Sequence, residues 1–331
     1  MTPSIKLCLY FIGSFLVSVF VAPLIIKGLK KLKAGQSILE YVVQHESKAG
    51  TPTMGGIIFI IPVIIVSLIE FTPLSLVAMS LTVGFGLVGF LDDFIKVKLG
   101  RNQGLKPYQK IVAQLGLSAI AGYFAYASPH VGSAINMPFT NGVDFGWGII
   151  PIVIFLYVAS TNAVNLTDGL DGLAGLSSVG YFVIFAILIA FECSKIEENN
   201  PESARQLISL ASFCVATVGG LLGYLVYNSS PAKVFMGDTG SLALGASVAS
   251  VAVMSKNPLF IATAGIMFVW TCISVIIQVL YFKLTKKRVF KMAPFHHHLE
   301  MSGMSETRIG ALYFALTLVG GAVTFALAGG I

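Results

Sequence analysis

Apolar residues run along this chain in long unbroken stretches, and polar residues collect in short segments between them. Ten stretches stand out, at roughly 5–26, 54–70, 74–91, 111–128, 146–163, 173–191, 206–227, 241–255, 258–282 and 309–330. Runs of about 20 apolar residues are what a helix needs to cross the hydrocarbon of a bilayer. The runs are continuous rather than alternating with a period of two, which argues for helices over a β-barrel. The pattern therefore predicts an all-α integral membrane protein with about ten transmembrane helices, forming one polytopic unit over 1–331. The run at 241–255 is short for a span and fits only with little tilt or help from its flanks. The first run reads as a retained span. Its apolar core is long for a cleavable signal, and Lys27, Lys30, Lys31 and Lys33 follow it instead of a small-residue cleavage site.

Composition supports this reading: 56% of residues are hydrophobic, 11% are charged, and the mean hydropathy is +0.85. Threading the ten spans from an outward N-terminus places 17 of the 21 Lys and Arg residues on one side. That bias assigns this side to the cytoplasm and both termini to the outside. The net charge of +6 then serves topology and contact with anionic membrane lipid heads; no soluble basic domain remains to bind nucleic acid. The four cysteines (Cys8, Cys193, Cys214, Cys272) form no CxxC, which gives no sign of a disulfide framework or zinc cluster. On the outward side, the segment near 129–145 reads as a turn or hairpin, and the acidic segment 192–205 as a solvated loop. No internal repeat is evident, which disfavours a transporter built from inverted halves.

The chemistry concentrates inward. Five of the six aspartates, Asp92, Asp93, Asp168, Asp171 and Asp238, fall in glycine-studded segments on the predicted cytoplasmic face. Carboxylates beside hydrocarbon are costly and persist mainly for function. Asp92 and Asp93 close the predicted third span. Neighbours on a helix point about 100° apart, so the two are expected to do separate jobs. A helix C-terminus disfavours negative charge, so compensation is expected from a metal or from Lys96, Lys98 and Arg101. Asn165, Asp168 and Asp171 would share a face if 162–172 were helical, although the glycines there suggest a turn, and capping is the plainer role for any one of them. Asp238, within Gly237-Asp238-Thr239-Gly240-Ser241, is placed to hold a divalent cation or to cap a helix. Phe235 is a stacking platform or a core residue. His296, His297 and His298 lack the usual zinc spacing and suit phosphate binding or proton transfer. Lys48 is positioned to meet a phosphate or to enforce topology.

Five ordered phrases, SKAGTPTMGG at 47–56, LDDFIKVKLGRNQGLKPYQK at 91–110, NAVNLTDGLDGLAG at 162–175, VFMGDTGSLALG at 234–245 and APFHHHLE at 293–300, resemble those of the polyprenyl-phosphate N-acetylhexosamine-1-phosphate transferase superfamily. The likeness is greatest to its branch that uses UDP-N-acetylmuramoyl-pentapeptide. The phrases fall in every inward loop; one departure is QSILEYVVQHE at 36–46, which lacks the expected Gly-Pro. The resemblance implies an Mg²⁺-dependent enzyme of the bacterial inner membrane. It would transfer phospho-N-acetylmuramoyl-pentapeptide from UDP to undecaprenyl phosphate, giving lipid I and UMP for peptidoglycan; it also suggests a homodimer. On the same basis Asp238 is the Mg²⁺ ligand, while Asp92 and Asp93 assist the lipid phosphate and shape the metal site. Asp171 and Phe235 read uracil, with Gly169 and Leu170 lining that pocket. Asn165, Asp168 and Asn228 are polar residues of the nucleotide-sugar site, Lys48 and Lys96 bind phosphate, and His296, His297 and His298 serve the diphosphate or peptide-sugar end. A sibling enzyme using UDP-N-acetylglucosamine is the near alternative, and a secondary transporter or channel the alternative of another class.

Overall fold

The computed structural model describes residues 2–32, 50–100, 103–140 and 142–329. Twelve α-helices are found among them: α1 (Pro3–Lys31), α2 (Ile57–Glu70), α3 (Pro73–Leu99), α4 (Pro107–Ala127), α5 (Ile149–Thr167), α6 (Leu173–Ile196), α7 (Pro201–Asn228), α8 (Gly237–Met254), α9 (Ile261–Ala264), α10 (Ile266–Thr285), α11 (Phe295–Glu300) and α12 (Glu306–Ala328). Seven are long and apolar enough to cross a membrane: α1, α3, α5 with the turn before it, α6, α7, α10 and α12. The other three expected spans coincide with α2, α4 and α8. The expected outward hairpin is present as β1 (Ala134–Ile135) and β2 (Val143–Asp144), paired antiparallel. The acidic segment expected to face outward is more than a solvated loop. Asn257 donates to the Glu192 carboxylate at 2.8 Å and accepts from Asn136 at 3.2 Å, tying the hairpin region to the ends of α6 and α8.

Helix α8 is the axis of the bundle. Its residues from Thr239 to Met254 are all buried, as expected of a helix with no polar face. They are almost all Gly, Ala, Ser, Val and Leu, small enough for neighbours to come close. Helix α3 packs along one side of it and α5 along another, while α6 lies against it and against α7; α7 in turn holds α1. Buried hydroxyl groups fasten three of these neighbours to the axis. Thr82 of α3 meets Ser247 at 2.8 Å, Tyr157 of α5 meets Ser250 at 2.8 Å, and Tyr181 of α6 donates to the Val248 carbonyl at 3.0 Å.

Two element boundaries differ from the expected ones in ways that matter for the site. The third span does not end at Leu91; α3 continues to Leu99. Lys96 stands three and four residues after the two acids, a spacing that stabilises helix, and Gly100 then stops it in the left-handed conformation at φ 58°. The run 258–282 is not one continuous helix. A 3₁₀ turn at Pro258–Phe260 and the single turn of α9 precede a break at Gly265, after which α10 begins.

The Tyr157 contact gives a stability prediction. Tyr157→Phe leaves the Ser250 hydroxyl without that partner and is expected to lower stability by about 1 kcal/mol, read as an earlier unfolding midpoint of the detergent-solubilised protein. An unchanged midpoint would remove this contact from the forces holding α5 on α8.

Candidate active site

The first turn of α8 is pressed against α3. Gly89 permits this, because a side-chain carbon at that position would overlap the carbonyl oxygen of Asp238. One turn further along α3, Asp93 is 3% exposed, and its Oδ2 accepts from the Thr239 backbone N–H at 2.9 Å and the Thr239 hydroxyl at 2.7 Å. A carboxylate from one helix thus caps the N-terminus of another, where negative charge is favoured. Asp92, next in sequence, does something different. Its Oδ1 accepts from the Leu105 N–H at 2.8 Å, and its Oδ2 lies 2.6 Å from the Lys96 ammonium.

Asp238 completes the cluster. Its Oδ2 lies 2.5 Å from Lys110 Nζ and 3.1 Å from Lys96 Nζ, while Oδ1 accepts from the Asn165 amide at 2.7 Å. The same amide reaches Ser241 at 2.8 Å, and Lys110 also approaches Asp92 at 3.4 Å. Three carboxylates and two ammonium groups therefore share one largely enclosed space. One carboxylate oxygen from each of Asp92, Asp93 and Asp238 lies within 4.8 Å of the other two. Hard oxygen donors so grouped suit a divalent cation such as Mg²⁺. One oxygen from each acid would hold it, the Asp93 Oδ2 being already engaged by Thr239 and the Asp92 Oδ1 by Leu105. Of the compensating cations expected for the two acids of α3, Lys98 instead lies over the Phe94 ring, 6.0 Å from its centroid, and Arg101 falls outside the described residues. Lys110 takes that role. It closes the phrase at 91–110, but nothing in local spacing indicates that it reaches Asp238.

A second group of predicted residues surrounds the turn after α5. The helix ends at Thr167, so Asn165, Asp168 and Asp171 do not form one helical face. Asp168 follows as the cap. Burial pushes its carboxyl up to about 8, reinforced by the negative charges of Asp238, Asp93 and Asp171; it is held largely neutral and able to donate a hydrogen bond. Gly169 lies directly under the rings of His296 and His297, where any side chain would collide with His296. Leu170 turns inward to a small apolar cluster with Leu173, Met267, Ile309 and Tyr313. Asp171 donates its N–H to Glu306 at 3.0 Å and accepts from the Ala232 N–H at 3.0 Å. Asn228 is 4% exposed and uses both ends of its amide, accepting from Gly172 N–H at 3.0 Å and donating to the Val234 carbonyl at 2.9 Å. Its place is that of a staple between two loops. Phe235 is fixed by its backbone, donating to Pro52 and accepting from Gly55, both at 2.8 Å, with its ring half-buried.

The three histidines diverge. His296 is wholly buried, and neither ring nitrogen has a hydrogen-bond partner among the described residues. Burial, with a smaller contribution from His297, pulls it down to about 3, so its ring is neutral. His297 pairs with Glu300 at 2.9 Å. His298 accepts from the Lys291 N–H at 3.1 Å and stacks on Phe295, on the side of the loop facing Phe290. His296 and His297 thus join the turn at 168–171, whereas His298 braces its own loop. Lys48 lies outside the described residues.

The state of Asp168 has a measurable consequence. A carboxyl raised above its unfolded value of about 3.9 favours the fold at low pH and loses that advantage as pH rises towards its folded value. Asp168→Asn, which stays neutral, is therefore expected to raise the unfolding midpoint relative to the parent chain above pH 8 and to leave it unchanged near about pH 4. An equal shift at both values would show that the carboxyl is not being forced to ionise against its surroundings.

The model for glycosyl transferase family 4 matches residues 74–256, and phospho-N-acetylmuramoyl-pentapeptide-transferase signature 1 matches residues 48–60. A phospho-N-acetylmuramoyl-pentapeptide-transferase of Clostridium perfringens is 46% identical over 327 residues, covering 97% of this chain and 98% of its own. Proteins of the same name from a Geobacillus strain and from Halalkalibacterium halodurans are 44% and 43% identical, over 92% and 95% of this chain and 93% and 94% of theirs. With identity of this extent along nearly its whole length, the chain belongs to the phospho-N-acetylmuramoyl-pentapeptide-transferase family.

Proposed function

We propose that this protein transfers phospho-N-acetylmuramoyl-pentapeptide from UDP to undecaprenyl phosphate, releasing UMP and forming lipid I for peptidoglycan. The observation that carries the reading is the enclosed cluster of Asp92, Asp238, Lys96 and Lys110, in a chain of this family. An oxygen of the lipid phosphate forms a bond to the sugar-linked phosphorus. The bond from that phosphorus to the bridging oxygen breaks, and UMP leaves with the electron pair. Negative charge gathers around the phosphorus and on the leaving oxygen, and catalysis of such transfers rests on positioning and charge stabilisation. Lys96 and Lys110 are held where they can supply positive charge. A bound Mg²⁺ on Asp92, Asp93 and Asp238 would neutralise phosphoryl oxygens. Asp93 acts through the first turn of α8, keeping Asp238 in position, and Asn165 orients the Asp238 carboxylate.

The nucleotide sugar is assigned to the adjoining turn. Phe235 offers a ring for stacking on uracil, and Asp171 and the neutral Asp168 stand ready to bond its polar edge. Gly169 keeps the surface open beside His297, while Asn228 and Leu170 hold the loops in shape. Neutral His296 supports this turn from beneath, and His298 supports the loop that carries the other two. Lys48 is assigned to substrate phosphate. In this reading the chain forms a single domain that crosses the bacterial inner membrane ten times, α2, α4 and α8 supplying the three passes beyond the seven most apolar helices. Both termini face outward and the cluster faces the cytoplasm, where a soluble nucleotide sugar meets a membrane-bound acceptor. A homodimer is the proposed assembly.

The deciding experiment is UMP release by the purified protein given undecaprenyl phosphate, Mg²⁺ and one of two donors. UMP and lipid product are expected with UDP-N-acetylmuramoyl-pentapeptide and not with UDP-N-acetylglucosamine; the reverse would assign the sibling reaction. Asp238→Asn is expected to abolish turnover while leaving the fold intact, and wild-type turnover would remove its metal role. Lys110→Gln should lower kcat on the order of 10²–10³-fold, as for loss of one transition-state donor, and a change confined to KM would contradict that role. Phe235→Ala should weaken UDP-sugar binding about tenfold, the scale of one lost base stack, which calorimetry would read directly.

A further inference from the structure

A second cavity lies away from the aspartate cluster, where the end of α1 meets the end of α7. It is an open groove of about 530 Å³ lined by Pro23, Ile26, Lys27, Lys30, Lys31, Tyr227 and Lys233. Four of its seven lining residues are lysines and none is acidic. Lys27, Lys30 and Lys31 share one helical face at spacings of three and four, and Lys233 approaches from the opposite wall. Among the described residues none of these ammonium groups has a carboxylate partner. Cations at the end of α1 suit its helix dipole and the charge bias of an inward loop. The charge bias covers Lys233 as well, since 228–240 is one of the predicted inward segments; it does not say which anion meets the four exposed ammonium groups gathered around one groove.

The surroundings identify the source of that anion. Helix α1 is 29 residues long, about 43 Å at the α-helical rise, which exceeds the hydrocarbon thickness of about 30 Å. Its last turns therefore emerge at headgroup level. One and two turns before Lys27, Leu24 and Phe20 are 72% and 71% exposed, a surface suited to acyl chains. The floor of the groove is fixed: the Tyr227 hydroxyl donates to the Val19 carbonyl at 3.1 Å, and the Lys233 N–H donates to the Tyr227 carbonyl at 2.8 Å. A tyrosine at the boundary between hydrocarbon and headgroups is in its preferred setting. We propose that this groove seats the phosphate headgroup of an anionic membrane lipid, with an acyl chain running along Phe20 and Leu24. A soluble phosphate would use the lysines but not the apolar wall.

The test is independent of transferase activity. The detergent-purified full chain is offered equal amounts of phosphatidylglycerol and phosphatidylcholine, and retained lipid is counted by native mass spectrometry. The parent chain should retain phosphatidylglycerol preferentially. The variant Lys27→Gln/Lys30→Gln/Lys31→Gln/Lys233→Gln should lose that preference on the order of tenfold. The charge-matched control Lys283→Gln/Lys286→Gln/Lys287→Gln/Arg288→Gln, altered at the end of α10, should keep it. Equal loss in both variants, no preference in the parent chain, or displacement of the lipid by inorganic phosphate would each overturn the proposal. Should the groove variant fail to fold, photoreactive phosphatidylglycerol on the parent chain decides instead: crosslinks within 20–31 and 227–233 support the site, and crosslinks elsewhere refute it.

Discussion

The bond between Asp93 and Thr239 joins two demands on this molecule, how to bury a helix almost completely and how to hold an acid at its tip. Helix α8 has no exposed face after its first turn, so its leading N–H groups cannot turn to water. The Asp93 carboxylate meets one of them, together with the Thr239 hydroxyl. An unpaired polar group in such a place costs about 1–3 kcal/mol, and more where water is absent. Once that bond is made, Asp238 is aimed across the interface and Gly89 lets the two backbones close. Removing one carboxylate would disturb packing and chemistry together.

Charge balance is the second constraint. Three carboxyl groups, Asp92, Asp93 and Asp238, gather around two ammonium groups, Lys96 and Lys110, a formal balance that has room for a cation. The lysines come from different helices, so the balance exists only in the assembled bundle. Asp168 sits at the edge of the same field and answers by holding its proton. Burial first, and the neighbouring carboxylates second, set Asp168 apart from the acids that the two lysines meet.

Much of this is legible in the sequence because the chain is so apolar. In such a background Asp92, Asp168 and Asp238 stand out, and the positive-inside count alone groups them on one face. Pairings between distant segments are not legible in this way. Lys110 is one basic loop residue among several until the fold brings its ammonium against Asp238. The exact end of α3 depends on pairing between Lys96 and the acids before it, which apolar runs do not register. Asn228, Leu170 and His298 group with candidate substrate residues by their motifs, yet Asn228 staples two loops, Leu170 enters an apolar cluster and His298 braces its own loop; a motif does not record which way a side chain faces. The break at Gly265 is hidden because both sides of it are equally apolar.

The distribution of the cluster along the chain also bears on how such a protein is made. Helix α3 brings its acids together with Lys96, so it can enter the bilayer already partly neutralised, and Lys110 is synthesised soon after. Asp238 is synthesised only after α4, α5, α6 and α7, at the start of a helix whose later residues are buried all round. Its docking between α3 and α5 cannot precede its own synthesis, so the cluster is completed after the first seven helices have been made. A chain that has made only its first seven helices therefore lacks the Asp238 carboxylate that completes the charge set.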